Sequence, residues 1–492
     1  MTTETATTPV ARPAIDTTPR QLFIAGEWVP AADGQTDAVV DPSNGATFTT
    51  QARAAAADAA AAVAAARRAF DAGDWAAMTP RARGRILIRA AELIRAANDE
   101  LAALESLDAG KPFGFTRMID IPTAADTFEY YGCLAAGIEG AARPTGADVV
   151  SYTRREPIGV VVAITPFNFP MILTSTKLAP ALAAGNTVVH KPAEETPLTA
   201  LRLAELLTEA GVPAGVLNVI TGGAATGEAL VRDPRVDKIA FTGSTTVGRR
   251  IASLAGETLK RVTVEAGGKG ANIVFADADL DAAIQTAIQA FVFNTGQFCM
   301  AGSRLLVEQP VYDDVVAGVT GALPHVPVGD PFSPDTVIGP MAGPKHLAKV
   351  HGFLDAALED GAAVAGGREV PPGGLYVAPV ALTGVGQDSR VVQEEIFGPV
   401  VTIQPFADEA DAIALANGTC YGLAAGLQTR DLGRAHRVAA ALKAGIVWVN
   451  GWAKLDPAMP FGGYNQSGYG RENGPEGLDE YLETKSVVVT LT

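Results

Sequence analysis

The feature that most constrains the fold is a regular alternation of apolar and amphipathic segments between residues 158 and 241. Short apolar runs predict strands at 159–164, 186–190, 216–220 and 238–241. Segments at 197–210 and 225–231 predict helices, the first with Thr196 as its cap and Pro197 at its first position. Strands that alternate with helices in this way form a parallel sheet covered on both faces.

The rest of the chain predicts further packed units. Because 492 residues exceed what one hydrophobic core supports, we expect two or three domains. Before the alternating region we predict a hairpin at 21–29 and helices at 54–70 and 80–107. After it, Asp279 is expected to cap a helix at 280–293. The remaining predicted elements are strands at 271–275, 304–307 and 445–449, helices at 344–359, 407–417 and 431–442, and an exposed edge strand at 485–492.

Composition narrows the class of protein. With 48% hydrophobic and 19% charged residues, the chain is typical of globular proteins. The net charge of −16 argues against nucleic acid or an anionic membrane surface as a partner. Three scattered cysteines indicate a reducing, cytoplasmic location. The five histidines lack ligand-like spacing, so we predict no metal and place His346 and His351 on a solvated helix surface.

Cys299 is the strongest candidate for a reactive group. It follows a predicted helix in a polar, glycine-flanked segment, where a substrate could reach it. A buried structural thiol is the alternative, and the commoner fate of a lone cysteine. Glu265 strengthens the reactive interpretation, because it ends a strand-like run directly before a Gly-Gly turn. A thiol and a carboxylate are the two groups needed to capture a carbonyl covalently and then hydrolyse the product.

Three loops after predicted strands favour a phosphate-containing ligand. They lie at 165–170, 191–196 and 241–248, where loops of an open parallel sheet meet helix N-termini. The third contains a Gly-Ser turn that opens a helix, and free backbone N–H groups there suit a pyrophosphate. The pattern Gly-x-Gly-x-x-Gly is absent, so this loop alone is equally consistent with an ordinary turn.

In their order along the chain these segments resemble the NAD(P)-dependent aldehyde dehydrogenase superfamily, over roughly the whole chain after the first ~20 residues. The resemblance implies two doubly wound α/β domains, a Rossmann-like cofactor domain and a catalytic domain, with a small β oligomerisation arm. The expected division is a mobile tail at 1–20, a dinucleotide-binding domain at 21–264 with arm strands near 143–157, a catalytic domain at 265–465, and a return segment with an oligomerisation strand at 466–492. A homodimer or homotetramer is implied.

The resemblance also implies roles for individual residues. Cys299 corresponds to the nucleophile, Glu265 to the general base, and Asn168 to the donor that stabilises the oxyanion together with the backbone N–H of Cys299. The cofactor is NAD, with NADP as the alternative, because Glu194 offers a carboxylate to two ribose hydroxyls while Lys191 softens that preference. The implied cofactor contacts are Lys191, Glu194, Gly243, Ser244, Gly248, Glu395 and Phe397.

The predicted substrate is a medium or large apolar or aromatic aldehyde. The expected tunnel carries no fixed charge and is lined by Phe169, Leu173, Thr176, Phe298, Met300, Trp452 and Leu455. Betaine-like or semialdehyde substrates are the alternative. A coenzyme A-acylating enzyme is a rival class, disfavoured because Glu265 promotes hydrolysis, and a non-catalytic relative is a second rival. The family commonly has leucine where this chain has Ala266, and Glu472 is expected either to relay protons or to be a structural partner of Arg471 or another neighbour.

Overall fold

The computed structural model describes residue 12, residues 15–367 and residues 369–491. In chain order the strands are β1 (Leu22–Ile24), β2 (Glu27–Val29), β3 (Thr36–Val40), β4 (Thr47–Ala52), β5 (Ala142–Arg143), β6 (Val149–Pro157), β7 (Val160–Ile164), β8 (Thr187–Lys191), β9 (Leu217–Val219), β10 (Lys238–Thr242), β11 (Arg261–Glu265), β12 (Ala271–Val274), β13 (Arg304–Glu308), β14 (Ala363–Gly366), β15 (Val380–Thr383), β16 (Val400–Phe406), β17 (Ala424–Gln428), β18 (Ile446–Val449), β19 (Gly468–Tyr469) and β20 (Leu482–Thr490).

The helices connect these strands and cover the sheets. In chain order they are α1 (Ala56–Ala72), α2 (Asp74–Ala77), α3 (Pro80–Ala96), α4 (Asn98–Ala109), α5 (Phe113–Phe115), α6 (Ile121–Leu134), α7 (Pro170–Ala184), α8 (Leu198–Ala210), α9 (Ala224–Arg232), α10 (Thr245–Gly256), α11 (Leu280–Val292), α12 (Tyr312–Ala322), α13 (Pro344–Glu359), α14 (Arg390–Gln393), α15 (Glu409–Asn417), α16 (Leu432–Ala441) and α17 (Gly474–Asp479). None of the helices in the described ranges has the length and apolar character needed to cross a membrane.

Two large sheets form the body, as the alternating pattern predicts. The first has the order β19-β11-β10-β7-β8-β9-β1-β2, and its five central strands are parallel. The second has the order β14-β15-β16-β13-β12-β17-β18 and is parallel except at β14. Only residues 266–270 separate the last parallel strand of the first sheet from the first strand of the second. This short connection brings facing edges of the two sheets together.

A separate three-stranded antiparallel sheet has the order β20-β6-β5. Strand β20 pairs with β6 along its whole length, from Leu482 opposite Pro157 to Thr490 opposite Val149. Its other edge has no partner strand among the described residues, and Val488 on β20 is 64% exposed. The edge strand predicted at 485–492 therefore begins three residues earlier, at Leu482, and Thr492 lies outside the described residues.

Three local predictions differ from the structure. The segment predicted as one helix at 80–107 forms two helices, because the backbone leaves the helical conformation at Ala97. Thr196 does not cap α8; instead Asp108 on α4 accepts the Leu198 N–H at 3.1 Å. The buried helix α7 between β7 and β8 is absent from the sequence prediction. By contrast, Asp279 does accept the N–H of Ala282 at the start of α11, as predicted.

The described part of the segment at 1–20 contacts the body, whereas the sequence predicts mobility there. The Arg12 guanidinium donates to Asp330 at 2.7 Å and also contacts Asp41. Arg20 forms an isolated bridge with Gln51 beside β4. Residues 1–11, 13 and 14 lie outside the described residues.

Candidate active site

The strand order of the first sheet places a crevice beside β7. From β7 the chain steps outward through β8 and β9, and it then returns to the opposite side of β7 as β10. Open parallel sheets bind ligands at such a reversal, outside the carboxyl ends of the strands. A cavity of about 120 Å³ lies at this point. Its wall includes Asn168 after β7 and Thr242, Gly243 and Ser244 at the end of β10.

The second sheet contributes to the same cavity from the opposite ends of its strands. Gly267 precedes β12, Cys299 precedes β13, and Glu395 and Phe397 precede β16; all four line the cavity. The cavity is thus bounded by the carboxyl edge of one parallel sheet and the amino edge of the other. Cys299 and the loop of Asn168, predicted from separate motifs, are brought together there.

The segment before Cys299 has an unusual backbone. Asn294 and Thr295 have φ values of +52° and +57°, in the left-handed region that residues with side chains rarely occupy. The Asn294 amide donates to the carbonyl oxygens of Asn168 at 2.9 Å and Gln297 at 3.0 Å. These bonds tie the loop after β7 to the loop that carries Cys299, so the strained turn is held by both halves of the site.

Burial and the nearby carboxylates favour the neutral form of the Cys299 thiol. Burial raises the pKa of Cys299 far above its ordinary value, and the neighbouring carboxylates of Glu395 and Glu265 raise it further. Gly268 lies against the Cys299 backbone, because an added Cβ there would come within 2.3 Å of the Cys299 carbonyl oxygen. The thiol therefore requires a nearby base or a change in its surroundings before it can attack.

Glu265 ends β11 and is buried behind the cavity wall. Its side chain is 1% exposed, and neither carboxylate oxygen has a hydrogen-bond partner among the described residues. Burial, followed by the Glu472 carboxylate, raises the pKa of Glu265 well above its usual range. A carboxylate in this state takes up a proton more readily than that of an ordinary glutamate. Ala266, the small residue next to it, lines the cavity.

Asn168 directs its amide toward the Cys299 loop. Its Nδ2 donates one hydrogen bond to the Gln297 carbonyl oxygen at 3.0 Å, which leaves the second N–H of the amide group for another acceptor. Its side-chain oxygen has no partner within the described chain. Asn168 is 4% exposed, so this donor points into a site that largely excludes water.

Glu395 and Phe397 lie across the cavity from the first sheet. The Glu395 carboxylate accepts the backbone N–H of Gly268 at 2.9 Å, and burial raises its pKa. Phe397 has a φ of +64° and its ring meets Phe167 edge to face, with centroids 5.8 Å apart. Phe397 thus meets the loop after β7, and Glu395 meets the turn after β11.

The Gly-Ser turn opens helix α10 as predicted. Ser244 is the N-cap of this helix, and its hydroxyl accepts the Val247 N–H at 3.4 Å. Gly248 in the first turn packs against β11, since an added Cβ would come within 2.9 Å of Val264. This contact holds the start of the helix close to the sheet, with its positive end toward the cavity.

Lys191 and Glu194 lie beside a second, larger cavity. Glu194 borders a cavity of about 830 Å³ together with Arg53 and Gly223. The Lys191 ammonium donates to the Pro192 carbonyl oxygen at 3.1 Å. Burial lowers the pKa of Lys191, and the carboxylates of Glu194 and Glu195 oppose that shift. The Glu194 carboxylate is therefore available to ribose hydroxyls at this cavity, whereas Lys191 is 7% exposed and does not line it.

The predicted tunnel residues divide into two groups. An apolar cluster that includes Cys299 contains Phe169, Leu173, Phe298, Met300 and Trp452. Thr176 and Leu455 do not belong to it. The Thr176 hydroxyl donates to Glu472 at 3.1 Å, and Leu455 is 48% exposed. Thr176 was assigned to the tunnel from its spacing after Asn168, but the helix turns it toward a buried carboxylate.

Glu472 pairs with Lys177 and not with its sequence neighbour Arg471. Its carboxylate contacts the Lys177 ammonium, which also donates to Thr242 at 2.6 Å. Arg471 instead donates to backbone carbonyls of Gly463 and Gly470. Sequence reasoning missed Lys177, although it is the only charged residue in the apolar segment that forms α7. An isolated lysine in a buried helix is a recognisable sign of a buried ion pair.

His346 was predicted on a solvated surface, and the structure corrects this. Its ring packs on Phe167, with centroids 4.1 Å apart, and it lines the cavity beside Cys299. Its Nε2 lies 3.6 Å from the Glu195 carboxylate. Lys349, one turn later on α13, lines the same cavity. Helix α13 therefore supplies a wall of the site that periodicity alone did not reveal.

Two parallel sheets share a cavity that has a helix N-terminus at one wall and a thiol near a carboxylate without a hydrogen-bond partner among the described residues. This arrangement is typical of a two-sheet α/β dehydrogenase. The chain belongs to the aldehyde dehydrogenase family, whose family model matches residues 28–487.

Solved structures agree with this assignment. The chain is 45% identical to PnpE from Pseudomonas sp. WBC-3, with a TM-score of 0.94 over 96% of this chain and 98% of that chain. It is 43% identical to P. syringae AldA indole-3-acetaldehyde dehydrogenase, solved with NAD+ and IAA, with a TM-score of 0.94 over 97% of each chain. It is 38% identical to betaine aldehyde dehydrogenase from Staphylococcus aureus, solved with NAD+, with a TM-score of 0.95 over 96% of this chain and 95% of that chain.

Proposed function

We propose that this protein oxidises an aldehyde to a carboxylic acid with NAD as the oxidant and Cys299 as the nucleophile. The observation that carries the proposal is the placement of Cys299, Asn168 and Glu395 around one cavity, with Glu265 close enough to raise the pKa of the thiol. PnpE, P. syringae AldA and the S. aureus enzyme were all solved with this dinucleotide, which supports NAD as the cofactor here.

The residues present fit a dinucleotide. Glu194 offers ribose contacts at the larger cavity, with Lys191 buried three residues before it, and the N-terminus of α10 offers N–H groups to a pyrophosphate. Glu395 offers a carboxylate to the second ribose, with Phe397 beside it. When bound, the cofactor supplies the hydride acceptor. Because Glu194 would repel a 2′-phosphate, we propose that NAD is preferred over NADP.

The chemistry of the chain follows from these positions. The Cys299 thiol gives its proton to solvent water, its sulfur attacks the aldehyde carbon, and the oxygen that becomes negative is stabilised by the Asn168 amide and the Cys299 backbone N–H. Loss of hydride from that carbon re-forms the carbonyl and leaves a thioester on Cys299. Glu265 then takes one proton from a water molecule, whose oxygen attacks the thioester carbon. The carbon–sulfur bond breaks, the second proton of the water passes to the sulfur, and the carboxylate and the free Cys299 thiol are released.

We further propose that Glu472, held in place by the Lys177 ammonium, receives the proton that Glu265 collects. Glu472 is the charged group that most raises the pKa of Glu265, and its pair with Lys177 continues to Thr242 at the cavity wall. A purely structural role for this pair is the alternative, because each of its members is almost fully buried and paired.

The substrate that fits best is an apolar or aromatic aldehyde of medium or large size. Phe169, Phe293 and Phe298 contact one another at centroid distances of 5.4 to 5.9 Å, and the same cluster includes Cys299. The relative named for indole-3-acetaldehyde is more similar to this chain than the one named for betaine aldehyde. Aromatic rings bind flat apolar groups only slightly better than cationic or short charged groups. A comparison of rates with the different aldehydes therefore tests the substrate class.

A panel of aldehydes tests this proposal. Initial rates of NADH and NADPH formation would be compared for phenylacetaldehyde-like compounds, betaine aldehyde and short charged semialdehydes. We expect the highest kcat/KM for the aromatic compounds with NAD, and free acid as the product even when coenzyme A is present. Higher kcat/KM for charged semialdehydes would contradict the substrate class. Formation of acyl-coenzyme A would contradict hydrolysis by Glu265.

The substitution Asn168→Ala tests the oxyanion donor. We expect kcat to fall by roughly 100- to 1000-fold, because one donor to the developing negative charge is lost. The dissociation constant of NAD, measured by titration of the free enzyme, should stay unchanged. An equal loss in kcat/KM and in NAD affinity would show that Asn168 acts on cofactor binding instead.

We propose a homodimer or homotetramer formed through the edge of β20 that is unpaired among the described residues and carries the exposed Val488.

We propose that the domains divide between residues 264 and 265, at the end of β11, the last parallel strand of the first sheet. The three cysteines are free among the described residues, which accords with the reducing cytoplasm predicted from the sequence.

A further inference from the structure

A cluster of three buried charges contacts Phe169 from outside the cavity. Its members are Glu105 on α4, Lys111 after α4, and Asp120, all at most 4% exposed. The Lys111 ammonium lies 3.3 Å from the Glu105 carboxylate and also contacts Asp120. None of the three lines the cavity beside Cys299. The aldehyde chemistry proposed above does not use these three residues, although burying three charges costs free energy of folding.

Glu105 connects the cluster to Asn168. Helix α7 has Phe169 at its N-cap, a side chain that cannot accept a hydrogen bond, and Pro170 at its first position. Glu105 replaces the missing cap, because its carboxylate accepts the Met171 N–H at 3.1 Å. A negative charge is also favourable at the positive end of a helix. The residue that immediately precedes this capped turn is Asn168.

Lys111 connects the cluster to Cys299. Its ammonium lies 3.8 Å from the centroid of the Phe169 ring, within the range of a cation–π interaction. The Phe169 ring in turn meets Phe298 edge to face, at 5.6 Å. Phe298 directly precedes Cys299. Lys111 therefore contacts the Phe169 ring, which packs on the loop that carries Cys299. Lys111 also neutralises the Glu105 carboxylate, which caps the turn after Asn168.

We propose that Lys111 is a positioning residue: through Phe169 and Glu105 it holds Asn168 and Cys299 at the separation that aldehyde oxidation requires. The proposal rests on the function proposed above. In this proposal the buried charges keep the reacting groups at the correct distance. That distance matters because a displacement of about 1 Å between reacting groups is enough to lower a rate by about 100-fold.

A double-mutant cycle between Lys111 and Asn168 separates positioning from simple stabilisation. The variants are Lys111→Met, Asn168→Ala and the combination, compared by kcat with NAD and the best aldehyde of the panel. We expect Lys111→Met to lower kcat by about 100-fold in the wild-type background. In the Asn168→Ala background the same change should have little further effect, because the donor that it positions is already gone. Equal losses in both backgrounds, or no loss, would overturn the proposal.

Two further variants keep the test interpretable. Lys111→Met leaves two buried carboxylates without a cation, and the variant could fail to fold for that reason. In that case the double variant Lys111→Met with Asp120→Asn, which removes one charge of each sign, replaces Lys111→Met in the cycle. Arg117→Met is the matched control, because it deletes an exposed ion pair with Asp99 in the same segment. The control should keep wild-type kcat. Thermal unfolding of each variant reports any loss of stability separately from kcat.

A readout that needs no aldehyde distinguishes this proposal from the proposed function. The rate at which iodoacetamide alkylates Cys299, followed on its own peptide by mass spectrometry, reports how well the loop is held. We expect Lys111→Met to change that rate several-fold, while Arg117→Met leaves it unchanged. A wild-type enzyme without dehydrogenase activity would contradict the proposed function alone. An unchanged alkylation rate in Lys111→Met would contradict the positioning role.

Discussion

Replacing Cys299 with alanine should abolish NADH formation, with a loss in kcat on the order of 10⁵-fold or more, because no other thiol among the described residues lines the cavity and could form the thioester. The other two cysteines are exposed and lie outside the cavity. NAD should still bind, since the proposed cofactor contacts are separate residues. The measurements are initial rates of NADH formation and titration of NAD into the variant.

Cys133→Ala provides the matched control for this substitution. It also removes one thiol, from an exposed position on α6, and should leave kcat unchanged. Residual activity of more than a few per cent in Cys299→Ala would show that the aldehyde is not captured by this sulfur. Loss of NAD binding in the same variant would show a wider effect of the substitution.

Replacing Glu265 with glutamine should stop turnover after one equivalent of NADH. The thiol still attacks and hydride still leaves, but water is no longer activated, so the thioester persists and steady-state kcat falls by roughly 100- to 10,000-fold. In a rapid-mixing experiment we expect a burst of NADH formation followed by slow turnover. Because burial raises the pKa of Glu265, hydrolysis by the wild type should speed up as pH rises through that pKa. The substitution should remove this rise.

Glu409→Gln is a suitable control, because it neutralises a carboxylate paired with Arg437 at the surface. It should show neither the burst nor the loss of turnover. A Glu265→Gln enzyme that fails to produce even the first equivalent of NADH would place Glu265 before hydride transfer, as the base that activates the Cys299 thiol. That result would contradict the role assigned to it here.

Local sequence patterns predicted much of the fold, because many helices and strands are determined by residues that are close together in the chain. Helix α11 begins where Asp279 can cap it, and the strands of both sheets appear as apolar runs bounded by turns. The cap of α8 was predicted wrongly as Thr196, because the side chain that accepts the first N–H, Asp108, comes from a helix 90 residues earlier. Long-range capping of this kind leaves no trace in the sequence next to the helix.

The site was predicted unevenly for the same reason. Cys299 and Asn168 lie at element ends, which sequence patterns locate well, and both reach the cavity. The partner of Glu472 could not be predicted, because Lys177 meets it only after residues almost 300 positions apart are folded together. The exposure of Leu455 depends on how the loop after β18 packs. Such contacts follow from tertiary packing and not from spacing along the chain.

The most direct test of the account is to trap the covalent intermediate. The Glu265→Gln enzyme would be mixed with NAD and an aromatic aldehyde, quenched in acid within the NADH burst, digested and examined by mass spectrometry. The account predicts an acyl group on the peptide that contains Cys299, in an amount equal to the NADH formed. NADH formation with an unmodified Cys299 peptide, or with the acyl group on Cys133 or Cys420, would contradict it.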